Sequence, residues 1–84
     1  MNILKKYEDK SNIVADVIKK AREKMCLSKA EVSRRLQFYA VFLDSTEIKR
    51  IEDCKMVVKD FELIALCEVL NINYNQLKEL LIHD

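Results

Sequence analysis

The 84-residue chain contains neither glycine nor proline. Their absence excludes collagen-like repeats, Gly/Ser linkers and Pro-rich docking segments. It also excludes the P-loop and the Rossmann fingerprint, both of which use glycine to bring backbone amides close to phosphate. Tight β-hairpins usually recruit glycine, so a sheet-rich fold is disfavoured. Histidine occurs once, at His83, and the three cysteines, Cys26, Cys54 and Cys67, lack the paired spacing of a zinc site. No signal peptide is visible, and no apolar run approaches the roughly 18 residues of a membrane span. The cysteines therefore read as reduced thiols of a cytosolic protein, used as small hydrophobes or loop residues. No Ser/His/Asp or Cys/His set is present, so no enzyme, metal or cofactor is expected.

What remains is half apolar and about one-third charged, in a length that supports one small domain near the lower limit for a self-sufficient core. The formal net charge is +1, but it divides unevenly. Residues 1–36 carry ten Lys/Arg against five Asp/Glu, or +5, and residues 37–84 carry five against nine, or −4. Such a split suggests a basic face that meets a polyanion and an acidic remainder that faces solvent.

Helical spacing accounts for most of the chain. Residues 1–10 are polar and read as a short arm or an extra turn of helix, ahead of a single domain over 11–84. From Asn12, the residues Ile13, Val14, Val17, Ile18, Ala21 and Met25 fall on one stripe, with Ser11 or Asn12 able to cap. A second helix opens at Ser28 with Glu31 three residues later, the capping-box spacing, buries Val32 and Leu36, and runs to about Tyr39. The apolar stretch 38–43 follows; it has no partner strand elsewhere and is expected to pack into the core. Asp44 with Glu47 repeats the capping-box spacing and opens a third helix that turns Ile48 and Ile51 inward. Asp60 caps a fourth, apolar and therefore central, ended by Asn71 in a left-handed conformation. Asn73 with Gln76 opens a last helix through Leu77, Leu80 and Leu81. The expected fold is all-α, with five short helices.

Three segments carry a family resemblance. Residues 21–36, with Arg22 ahead of the Leu27-Ser28 step and the Ala30-Glu31 opening, resemble the start of the Cro/phage-repressor (XRE-like) helix-turn-helix family. Residues 45–52, ending Ile48-Lys49-Arg50-Ile51-Glu52, look like its recognition helix, and residues 60–72 look like its fourth helix and exit. The match spans about residues 13–81. It implies a lambda-repressor-like DNA-binding domain and an ion pair between Arg22 and Glu52 that fixes the angle of the reading helix. The connection between the two motif helices is four or five residues longer than usual, as in a subset of the family. Ala40 then stands where that subset has glycine, and Cys26 and Cys54 also stand at common glycine positions. Either these residues take positive φ, each at a cost on the order of 1 kcal/mol, or the helices end by another geometry.

The resemblance also implies functional roles. A recognition helix over about 45–54 would lie in the major groove, with Ser45, Thr46 and Arg50 at base-reading positions. Arg50 suits guanine, whose O6 and N7 match its fork, whereas Ser45 and Thr46 could equally touch phosphate. Glu47 could accept from cytosine, although its capping role is simpler. Lys29, Arg34, Lys49 and Lys55 are phosphate candidates, as is Arg35; each also reads as part of a solvated face. Asp44, Glu47 and Asp53 bring negative charge to the same region. The implied partner is double-stranded DNA with a pseudo-palindromic operator, bound by a cytoplasmic homodimer, with no membrane and no small-molecule substrate. Dimer contacts could come from the last helix or from 38–43. The implied function is a prokaryotic or phage transcriptional regulator, in the first place a repressor. The alternatives are the antitoxin of a toxin–antitoxin pair and a protein-interaction module on the same fold.

Overall fold

The computed structural model describes the backbone of residues 3–82 and the side chains of residues 11–82. Five α-helices follow one another: α1 (Ile3–Lys24), α2 (Lys29–Leu36), α3 (Ser45–Glu52), α4 (Asp60–Leu70) and α5 (Tyr74–Ile82). A single 3-10 turn, Gln37–Tyr39, extends α2. There is no strand among the described residues, and the fold is all-α. α1 packs against α3, α4 and α5, and α2 packs against α3 and α4. Each helix sends a fully buried side chain into one core: Ile18, Leu36, Ile48, Leu66 and Leu77, joined by Val32. α4 is the central element, since seven of its eleven residues are buried.

The first helix departs from expectation. α1 is 22 residues long and its backbone is helical from Ile3, so Ser11 and Asn12 lie inside it and do not cap it. Side chains of residues 1–10 lie outside the described set. On the inner stripe, Ile18 is buried and Ile13, Val14, Val17 and Ala21 pack against the core, but Met25, 37% exposed, does not join it. Met25 follows the last helical residue and has already left the stripe.

Capping chemistry sets the other starts. Ser28 Oγ accepts the Glu31 N–H (3.1 Å) while Glu31 Oε1 accepts the Ser28 N–H (3.1 Å), so both halves of the box close. Asp44 and Glu47 repeat the exchange at 2.7 and 3.1 Å. At α4 the cap stands one residue earlier than expected: Lys59, not Asp60, is the N-cap residue. Lysine has no acceptor oxygen, so only the return half forms, with Glu62 Oε1 accepting the Lys59 N–H at 2.9 Å. Asn73 Oδ1 accepts the Gln76 N–H (3.1 Å) and caps α5.

Four turns share one exit geometry. Cys26, Ala40, Cys54 and Asn71 have φ of 57°, 57°, 60° and 56°. Around each, the following N–H reaches back five residues: Leu27 to Arg22, Val41 to Leu36, Lys55 to Arg50 and Ile72 to Cys67. This is the Schellman closure, in which glycine normally supplies the left-handed residue. Here a chain without glycine takes the left-handed conformation at every one of these positions. Asparagine tolerates it; alanine and cysteine do so at about 1–2 kcal/mol each. Burial of the next residue offsets that cost at three exits, because Leu27, Val41 and Ile72 all pack on the core.

The connection between α2 and α3 also differs from expectation. α2 ends at Leu36 rather than near Tyr39, and α3 ends at Glu52 rather than at 54. Residues 38–43 do not enter the core as a block. Val41 and Leu43 are buried, but Phe38 and Phe42 are 89% and 75% exposed. The tight reversal at Ala40 can direct only some of these side chains inward, and it selects the two aliphatic ones.

Candidate nucleic-acid interface

α3 is held from behind. Arg22, near the end of α1, donates from Nε to Glu52 Oε2 at 2.7 Å and from Nη2 to Glu52 Oε1 at 3.0 Å. Its Nη1 donates to the Leu27 carbonyl at 2.9 Å. The Arg22 side chain is 12% exposed and that of Glu52 only 3%, so the pair is shielded from water. The bonds to Glu52 hold the guanidinium pKa above its ordinary value. One arginine thus joins the end of α1, the turn into α2 and the end of α3. The pair is the one the family resemblance implied; the Leu27 acceptor was not expected, because nothing in a sequence marks which carbonyl a long side chain will reach.

On its inner side α3 buries Ile48 and Ile51. On its outer side Ser45, Thr46, Lys49 and Arg50 are exposed. Glu47 is engaged at the N-terminus in the capping box that its spacing from Asp44 predicts. Lys49 Nζ pairs with Asp53 Oδ2 at 2.8 Å, one turn on. That contact raises the Lys49 pKa and lowers that of Asp53. Arg50 Nη2 lies 3.5 Å from the Lys55 carbonyl, the edge of hydrogen-bond range, so its fork remains available.

The other basic candidates lie on neighbouring elements. Lys29 is the first residue of α2 and half-buried, Arg34 and Arg35 are exposed near its end, and Lys55 is exposed just past α3. Cys54 makes a link that sequence reasoning did not find: its Sγ donates to Asn12 Oδ1 at 2.9 Å and ties the exit of α3 to α1. Cys26 and Cys54 are exposed free thiols, and Cys67 is a buried one whose pKa burial pushes up.

Among the described residues, no three His, Cys, Asp or Glu side chains gather to hold a metal ion, and no helix is long and apolar enough to cross a membrane. No protein-family model, curated protein or solved structure matches the chain.

Proposed function

We propose that this chain is a sequence-specific, double-stranded-DNA-binding transcriptional regulator of prokaryotic or phage type, acting as a cytoplasmic repressor with α3 in the major groove. The observation that carries the proposal is the Arg22–Glu52 clamp. It fixes α3 from behind with two hydrogen bonds while Ser45, Thr46, Lys49 and Arg50 remain in solvent in front. Groove reading needs such a helix, rigid in its mounting and polar on its outer face. The resemblance to the Cro/phage-repressor family points the same way.

In this reading Arg50 takes guanine, and Ser45 and Thr46 meet base edges or phosphate at the N-terminus of α3. Lys29, Arg34, Lys49 and Lys55 neutralise phosphates. Lys49 exchanges Asp53 for phosphate on binding. Few phosphate contacts per protomer make a homodimer on a pseudo-palindromic operator the working assembly. α5 supplies a candidate dimer surface, with Leu80 and Ile82 more than half exposed.

A protein-interaction module on the same fold without DNA binding is the second reading, apart from the antitoxin alternative. The two exposed aromatics Phe38 and Phe42 favour it, because large exposed apolar surface often marks a protein contact. Selection from a pool of random duplexes, followed by a salt titration, separates the two. The regulator enriches a site and loses affinity with a log–log slope of about −0.9 per phosphate contact. Failure to enrich any site, with affinity independent of salt, contradicts it.

A further inference from the structure

Phe38 and Phe42 take no part in the core or in the DNA contacts assigned above, and the backbone turns both outward. Val41 and Leu43 are 3% and 2% exposed, and anchoring both neighbours inward turns Phe42 outward. Phe38 continues the path of α2, since Leu36 and Gln37 keep right-handed helical dihedrals. It therefore lies on the same surface as Arg34 and Arg35, four and three residues before it. The chain then reverses through left-handed Ala40, closed by bonds from Ala40 N–H to the Gln37 carbonyl and from Val41 N–H to the Leu36 carbonyl. The left-handed exit that buries Val41 thus also sets the direction of the two aromatics on either side of it.

The surroundings specify the partner. Among the described residues Arg34 and Arg35 are exposed and form no salt bridge, and with Glu31 three and four residues earlier the rim beside Phe38 carries two positive charges against one negative. The acids on either side in sequence, Glu31, Asp44 and Glu47, each accept a backbone N–H in a capping bond. Phe42 itself precedes the exposed Ser45 by only three residues. A partner complementary to this surface is a polyanion that also offers small apolar groups beside its charge. Duplex DNA does so on its major-groove edge, where thymine displays a C5 methyl near the phosphates.

The geometry points to Phe42, flanked by Phe38, as an apolar specificity contact to a thymine methyl at the edge of the groove that α3 enters. Arg34 and Arg35 then lie on the adjoining phosphates. This inference rests on the DNA reading of α3 and adds a base contact outside that helix.

The test uses the full chain and a duplex enriched from the random pool, with each thymine replaced in turn by deoxyuridine, which removes only the C5 methyl. At one position the replacement weakens wild-type binding about fourfold, the worth of one methyl removed from water. Phe42→Ala binds the thymine duplex at least as weakly and is indifferent to the replacement there. Both rings are exposed, so Phe42→Ala and Phe38→Ala keep the fold. If no replacement changes wild-type affinity, or if Phe42→Ala is as sensitive as wild type, the thymine contact is overturned while the DNA reading stands. If no duplex is enriched, both fall. If Phe38→Ala/Phe42→Ala converts a DNA-free dimer to monomer in sedimentation, the patch joins two copies of the chain and the contact is overturned.

Discussion

At the scale of single residues, the chain's missing glycines leave a measurable signature. Ala40 and Cys54 hold φ of 57° and 60° without the freedom that makes such angles easy. Ala40→Gly should raise stability by about 1 kcal/mol, seen as a rise in thermal midpoint of about 4–8 °C. Cys54→Gly also removes the bond to Asn12 and should gain less. Asn71→Gly should change little, because asparagine tolerates the left-handed region. An unchanged or lower midpoint for Ala40→Gly would mean that the turn is not under strain. Glu31 offers a second test. Its bonds to Ser28 hold its pKa below the ordinary glutamate value, which is about 4.3. A depressed carboxylate pKa contributes stability above the unfolded value and loses it as pH falls through the folded one. Glu31→Gln should therefore flatten the fall in thermal midpoint below about pH 4.3, while an acid limb identical to wild type would remove Glu31 from the account.

At the scale of elements, the Arg22–Glu52 clamp decides where α3 stands. The Glu52 side chain is 3% exposed, so Arg22→Ala leaves a buried carboxylate without its partner. That should cost about 3 kcal/mol or more, read from denaturant unfolding, whereas the paired replacement Arg22→Met/Glu52→Leu should cost distinctly less. Equal losses from the two would show that the pair acts by packing alone. Much of this level was legible beforehand. The capping spacings Ser28/Glu31 and Asp44/Glu47 are local, and local chemistry survives folding unchanged. The start of α1 and the cap of α4 were not legible. Serine and asparagine inside a long polar helix look the same as caps, and lysine at a cap carries no signal. The sequence preferred core packing over exposure for Phe38 and Phe42, and that preference failed for a related reason. An apolar run states its preference for burial but not the direction that a left-handed residue imposes on it.

At the scale of the whole molecule, the modest net charge conceals a basic first half and an acidic second half. The fold class follows directly from helical periodicity and the absence of glycine and proline. The candidate site does not, because exposed basic side chains look alike in sequence whether they meet phosphate or solvent. The proposed assembly predicts a dimer in sedimentation, dissociated by Leu80→Glu in α5; a monomer at every concentration, with and without DNA, would contradict it. The most direct test of the central claim, that α3 reads duplex DNA, is the specificity profile of two variants over single-base-pair changes in the selected site. Arg50→Ala should relax discrimination at one base pair by about 1–3 kcal/mol, and Lys29→Ala should weaken binding to all sequences alike and reduce the salt slope by about 1. If Arg50→Ala leaves the profile of wild type intact, α3 does not read the sequence and the account fails.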